Sequence, residues 1–312
     1  MEFRSVIARD AAVQAAAQSW VPMECYQLTK GNRVAQLDIL DLGPQQIVRE
    51  RQEAAVQKLG AMPKGPCTIS VSRLAKTRFS EIREDDNETV FFLPDNTEYD
   101  IYVPPESETA YVRFDQEEFL QAARILDPEG WENAPRQVAR LHTPRKAAMW
   151  EAVDLCLRIA DGEAGSVPRT GELQKTLFDT VMQIATAVPP GTATDLSHSA
   201  RMRAPHIGRA ARAFIMDRLD DDHLPGMIDI CRELGVSERT LQYAFLDYAG
   251  LSPTAYLRRV RLNRVREALR GADAQTATVT ETAMRFGFLH LGRFARDYRM
   301  FFGERPSQTL AS

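Results

Sequence analysis

One pattern occurs twice in the last third of this 312-residue chain, and that repeat limits the possible fold more than any other feature. Residues 224–253 and 276–306 hold the two copies. Up to a turn glycine they align at a constant offset of 52: Met227 with Val279, Cys231 with Ala283, Leu234 with Phe286 and Gly235 with Gly287. Beyond it the offset is 53: Leu241 with Phe294, Phe245 with Tyr298, Gly250 with Gly303 and Pro253 with Pro306. One residue has been added just after the second turn. A single copy reads as a helical hairpin, common in all-α domains. Two copies with small, turn and core residues in register read as a pair of helix-turn-helix units, spanning about 224–248 and 276–300.

Each copy has a local physical logic. A small residue, Cys231 or Ala283, stands four positions before the glycine, so a second helix can approach closely. The glycine allows the positive φ that a sharp turn requires. In the first copy Ser237 is expected to cap the next helix, and Glu238 adds negative charge to its first turn. Leu241 and Phe245, or Phe294 and Tyr298, are four apart and face a core. A different face carries Arg239, Gln242 and Tyr243 in the first copy and His290, Arg293 and Arg296 in the second, the polar surface of a recognition helix. Ser252–Leu269 reads as one connecting helix with Tyr256, Val260, Val265 and Leu269 inward. At 1.5 Å per residue it spans roughly 27 Å, comparable with the ~34 Å between successive turns of a DNA groove. Solvation alone could explain its arginines (Arg258, Arg259, Arg261, Arg264, Arg266, with Arg270 beyond), but between two such units phosphate contact is expected for part of that face.

The net charge of -4 hides a division. Residues 201–312 carry 18 arginines, no lysine and 13 acidic residues, a net of +5, which leaves -9 on residues 1–200. Between Trp20 and about Phe114 the chain reads mainly as strands, in runs such as Val34–Leu40, Gln46–Arg49, Thr68–Val71, Thr89–Leu93, Tyr99–Val103 and Ala110–Phe114. Pro, Gly, Asp and Asn clusters separate them, which suggests a small barrel or sandwich, a cupin-like form included. Helical periodicity follows at Glu117–Leu126, Pro144–Ala160 and Gly171–Val188. These helices either close the first core or leave an apolar stripe for a partner chain. The fold class is therefore α+β with two domains: a sensor and dimerisation domain at 1–190, a Pro/Gly/Ser/Thr-rich linker at 191–205, and an all-α domain at 206–312.

The first twenty residues contain Glu2 and Asp10 and do not read as a signal peptide. No apolar run reaches the ~18 residues of a membrane span. Cys25, Cys67, Cys156 and Cys231 are scattered without metal-type pairing, which points to reduced thiols and a cytoplasmic protein with no metal and no cofactor. An enzyme finds little support: there is no phosphate loop, dinucleotide glycine motif, nucleophile elbow or metal-ligand histidine spacing. His142, at a Pro-rich corner, is expected to be structural. Trp131, Trp150 and Phe91-Phe92 could line a pocket but more simply build a core.

On the motifs LGVSERTLQYAF, GLSPTAYLRRVRLNRVREAL and AMRFGFLHLGRFARDYRMFFGERPS, the stretch from about Ile207 to Thr309 resembles the DNA-binding domain of AraC/XylS-type regulators. Within that family, LQYAF, GF-x-HLG-x-FARDY and FGE-x-PS-x-TL look most like regulators of ethanolamine utilisation. The resemblance covers roughly a third of the chain. It implies base contacts by Arg239, Gln242, Tyr243, His290, Arg293 and Arg296, and phosphate contacts by Ser237, Thr240, Arg258, Arg259 and Arg261. It also implies promoter or operator DNA, RNA polymerase, a small-molecule effector and a second copy of the chain as partners, with activation as the outcome. Leu289, Leu291 and Gly292 depart from the polar start usual for the second unit and suggest looser base reading there. The alternative is a co-regulator whose first domain binds a protein partner.

Overall fold

A computed structural model describes residues 1–84, 86–162, 169–187, 203–221 and 223–311. The chain forms two units, one of residues 1–25, 33–53 and 58–195, the other of residues 26–32, 54–57 and 196–312. Most of the expected linker, residues 191–202, lies outside the described residues; residues 203–205 already belong to a helix.

The first unit opens with β1 (Glu2–Ala8), α1 (Ala11–Ala16), β2 (Met23–Gln27), β3 (Ala35–Asp41), β4 (Gln46–Gln52), β5 (Val56–Ala61) and β6 (Pro66–Arg73). Then come β7 (Arg78–Phe79), β8 (Ile82–Arg83), β9 (Thr89–Leu93), β10 (Glu98–Val103) and β11 (Glu108–Asp115). Four helices and one strand follow: α2 (Gln116–Leu126), α3 (Pro128–Trp131), β12 (Ala139–His142), α4 (Lys146–Ala160) and α5 (Thr170–Ala185). A seven-stranded sheet has the order β1-β3-β4-β11-β6-β9-β12, and a five-stranded sheet the order β2-β5-β10-β7-β8. The architecture is thus a sandwich of two sheets, not a closed barrel.

Strand alternation sorts the side chains of the larger sheet. On β6, Cys67, Ile69 and Val71 face outward; on β11, Ala110, Val112 and Phe114 do the same. These residues form one core with Met149, Val153 and Leu157 of α4 and Leu173, Leu177 and Val181 of α5. The helices therefore close this core, which answers the question their apolar stripes had left open. Trp131 and Phe92 sit edge to face at 5.5 Å inside it, Trp150 lies beneath the Arg73 guanidinium, and Phe91 stacks on Phe79 at 4.1 Å. All four sequence-flagged aromatics are structural. His142, on β12, pairs with Glu88 at 2.7 Å, also a surface structural role.

The second unit contains α6 (Arg203–Asp220), α7 (Met227–Leu234), α8 (Glu238–Ala249), α9 (Pro253–Arg270), α10 (Val279–Arg285), α11 (Leu291–Phe302) and α12 (Pro306–Leu310). The turn glycines behave as the repeat requires, with φ of 62° at Gly235 and 78° at Gly287. Gly208 of α6 lies so close to Tyr248 of α8 that a Cβ there would stand 2.5 Å from the tyrosine Cβ. Phe245, Tyr248 and Tyr256 cluster in the first half of the unit. Leu262, Val265, Leu269, Ala283, Phe294 and Tyr298 share a core in the second half. The segments Tyr26–Asn32 and Ala54–Gln57 count with this unit: the Gln57 side chain hydrogen-bonds both Tyr248 and Tyr256 at 2.5 Å, and Asn263 donates to the Gln27 carbonyl at 2.8 Å. No described helix is long and apolar enough to cross a membrane.

Candidate nucleic-acid interface and interior cavity

The two hairpins, α7–α8 and α10–α11, present the expected faces. Ser237 Oγ accepts the Thr240 N–H at 3.1 Å and so starts α8 as a capped helix. Its hydroxyl also shares a 2.8 Å hydrogen bond with that of Thr240. Both groups sit exposed at the helix start, where a phosphate could meet their hydroxyls and the free N–H groups. Leu241, Ala244, Phe245 and Tyr248 are buried, while Arg239, Gln242 and Tyr243 are exposed. Arg239 lies 5.5 Å from the centre of the Tyr243 ring and donates to its hydroxyl at 3.3 Å, so the two exposed side chains lie side by side on this face. Leu246, one turn further on, is also exposed.

In α11, Phe294 and Tyr298 are buried and Arg293 and Arg296 exposed, with His290 exposed at the helix start. His290 makes no capping bond, unlike Ser237. Leu289 is 74% exposed, and nothing stands within 4 Å of where a Gly292 Cβ would be. The start of α11 is therefore open, less polar and without a side-chain cap.

The connecting helix α9 differs from a solvent-facing rod. Arg258 pairs with Asp297 and lies 5.7 Å above the Phe288 ring. Arg259 lies 4.6 Å above Phe301, and Arg266, itself buried, covers Phe302 at 4.4 Å. Arg261 donates to the Pro225 carbonyl at 3.2 Å, and Arg264 binds Asp220 at 2.7 Å. Burial, then the neighbouring Arg258 charge, holds both Arg259 and Arg261 below the usual guanidinium range. These arginines bind the helices of the unit to each other through rings and carboxylates. The sequence alone could not separate this use of an Arg-rich helix from exposure.

Inside the sandwich the second set of alternating residues faces the smaller sheet. Glu50, Thr68, Ser70, Thr109 and Tyr111 of the larger sheet, with Met23, Lys58, Phe79, Tyr99 and Ile101 of the smaller one, line a small cavity of about 50 Å³. At one side Lys58 pairs with Glu50; the Glu50 side chain is wholly buried and that of Lys58 6% exposed. Glu50 also accepts from Gln18 at 2.5 Å and from Gln14 and Thr109 at 3.4 Å each. Burial pushes the Tyr99 hydroxyl well above its ordinary range, with the nearby Cys25 and Glu50 adding to the effect. None of these residues stood out in the sequence, because the alternating hydroxyls of β6 look the same whether they face water or a second sheet. Among the described residues no group of three or more His, Cys, Asp or Glu is placed to hold a metal ion.

Two capped or glycine-turned hairpins with exposed basic faces on a shared aromatic core define a helix-turn-helix domain, and residues 230–312 match the model of that domain family. Among curated proteins, the chain is 43% identical over 81 residues to the probable thc operon regulatory protein of Rhodococcus erythropolis, covering 26% of this chain and 24% of that protein. It is 45% identical over 75 residues to the XylDLEGF operon transcriptional activator of Pseudomonas putida, covering 24% of this chain and 23% of the activator. The chain thus spans about a quarter of the length of these relatives. A solved structure, a probable AraC family transcriptional regulator from Rhodopseudomonas palustris, is 36% identical, with a TM-score of 0.30, over 34% of this chain and 95% of its own.

Proposed function

We propose that this chain is an AraC/XylS-type transcription regulator, non-enzymatic and cytoplasmic, that binds promoter DNA through both hairpins and takes a small-molecule effector in its strand-rich unit. The observation that carries the reading is the duplicated exposed face: Arg239, Gln242 and Tyr243 on α8, and His290, Arg293 and Arg296 on α11, each backed by a buried aromatic pair. These six side chains read base edges, and Ser237 and Thr240 meet phosphate at the start of α8. Arg258, Arg259 and Arg261 add phosphate contacts through whatever part of each guanidinium the rings and carboxylates leave free. Residues 1–190 form the sensing and dimerising part, 191–205 the linker and 206–312 the reader. RNA polymerase is the further partner, activation the outcome, and regulators of ethanolamine utilisation the nearest kind on the C-terminal motifs. Effector control requires the ligand to bind the active and inactive arrangements with different affinity.

Footprinting on the DNA upstream of the chain's own gene and its neighbours tests the reading. Protection is expected over two stretches about one helical turn apart, and it should fade steeply with salt. Failure to protect any upstream sequence at low ionic strength would reject it.

A further inference from the structure

The cavity between the sheets carries information about charge that the reader domain does not. Its only buried ions, Glu50 and Lys58, face each other, so the pair brings no net charge to the space. The carboxylate is already met by Lys58, Gln18, Gln14 and Thr109 and has little accepting capacity to offer a ligand. Two other polar atoms on the wall are unsatisfied: Tyr99 Oη and Trp20 Nε1 are buried and have no hydrogen-bond partner among the described residues. Tyr99 as a whole is 6% exposed. The indole N–H can only donate, and a phenol hydroxyl donates readily. The indole N–H groups of Trp131 and Trp150 in the core are unpartnered as well, so it is the placing of two such donors on the wall of one unfilled space that points to an acceptor there. The rest of the wall is mostly apolar, with Val21, Met62, Phe79, Leu93 and Ile101, and also carries the hydroxyls of Thr68, Ser70, Thr109 and Tyr111.

We propose that the cavity takes an uncharged molecule: an apolar or aromatic body carrying one hydrogen-bond-accepting oxygen, as in a ketone, ester or alcohol, placed to accept from Trp20 Nε1 and Tyr99 Oη. This rests on the effector-binding part of the proposed function. A carboxylate ligand would have to lie beside the buried Glu50 with the only nearby cation already committed. A cationic ligand would meet hydroxyl oxygens but no carboxylate that is not already paired, since Glu50 is committed to Lys58. Both charge states are disfavoured by the same geometry.

The test uses the full chain and three probes of one skeleton: benzylacetone (neutral ketone), hydrocinnamate (anion) and phenylpropylamine (cation), with cyclohexanone and octanol as further neutral probes. Binding is followed by calorimetry and by the Trp20 indole ¹H–¹⁵N resonance, assigned with Trp20→Phe. At least one neutral probe is expected to bind at least tenfold more tightly than either ion and to move the indole proton downfield. Tyr99→Phe should weaken that binding about fivefold, the size of one hydrogen bond, and leave the thermal stability of the ligand-free chain unchanged or raised, because the hydroxyl has no protein partner to lose. Tighter binding of hydrocinnamate or phenylpropylamine would overturn the inference, as would an indole resonance that no neutral probe moves up to millimolar concentration. A loss of stability in Tyr99→Phe would likewise show the hydroxyl to be structural. All of these readouts omit DNA. A chain that binds the ketone but grips its promoter unchanged sinks the sensing function alone, whereas one whose promoter grip answers only to ions sinks the ligand class alone.

Discussion

The same substitution, glycine to alanine, should have opposite effects at two helical positions of the reader. At Gly208 in α6 a Cβ would stand 2.5 Å from both Cβ and Cγ of Tyr248 and 2.9 Å from Cδ2. Those atoms lie next to the tyrosine's own backbone, the ring is fully buried, and its hydroxyl is fixed by Gln57. The tyrosine cannot swing aside, so α6 and α8 must separate, an overpacking penalty of about 1–3 kcal/mol. Alanine returns about 1 kcal/mol of helix propensity. Gly208→Ala should therefore destabilise the unit by up to about 2 kcal/mol. At Gly292 in α11 nothing lies within 4 Å of the added Cβ. Only the propensity gain remains, so Gly292→Ala should stabilise by a few tenths to about 1 kcal/mol. Urea unfolding followed by far-ultraviolet circular dichroism reports the helices. Tryptophan fluorescence tracks the other unit, where Trp20, Trp131 and Trp150 all reside. A Gly208→Ala chain more stable than the parent would refute the close approach of α6 and α8.

Other outcomes follow from the same geometry. Arg239→Ala and Arg293→Ala should each lose about 1–3 kcal/mol on the cognate DNA and much less on random sequence, measured by competition binding; equal losses would make them phosphate contacts. Arg259→Ala should lower thermal stability by about 0.5–1 kcal/mol through the lost Phe301 contact and flatten the salt dependence of DNA binding; unchanged stability would contradict the ring packing. Asp38 is drawn upward by burial, but hydrogen bonds from Arg49 and Ser5 and the charges of Arg49 and Arg51 outweigh this and hold it below the usual carboxylate range. A depressed folded-state value means that the stabilisation is present above the unfolded-state value near pH 4 and is lost as pH falls through the folded one. Asp38→Asn should flatten the acid limb of a stability-versus-pH profile, and an unaltered limb would exclude this cluster from acid unfolding.

The reader was legible from sequence because duplication doubles every local signal. Gly235 and Gly287, Phe245 and Tyr298, and the Ser237 cap all appear where the repeat places them. The middle strands of the larger sheet were legible too, since their apolar runs are buried on both faces. Its two edges were not: β1 is mostly exposed and does not alternate, and β12 is a four-residue strand lying between helices. The fate of the α9 arginines was hidden because the rings they cover, Phe288, Phe301 and Phe302, lie 30 or more residues away in sequence. The cavity was hidden for a related reason: no pattern within β4, β6 or β11 shows that a second sheet lies over their polar side chains.

The larger sheet thus assigns its two surfaces to different tasks. Substitutions among Cys67, Ile69, Val71 and their neighbours on the helix side fall on a close-packed apolar core, where even one methylene is felt. Substitutions at Thr68, Ser70 or Thr109 change the lining of a partly empty space and leave that core intact. A sheet divided in this way can acquire a new chemical preference one strand position at a time while its scaffold stays folded.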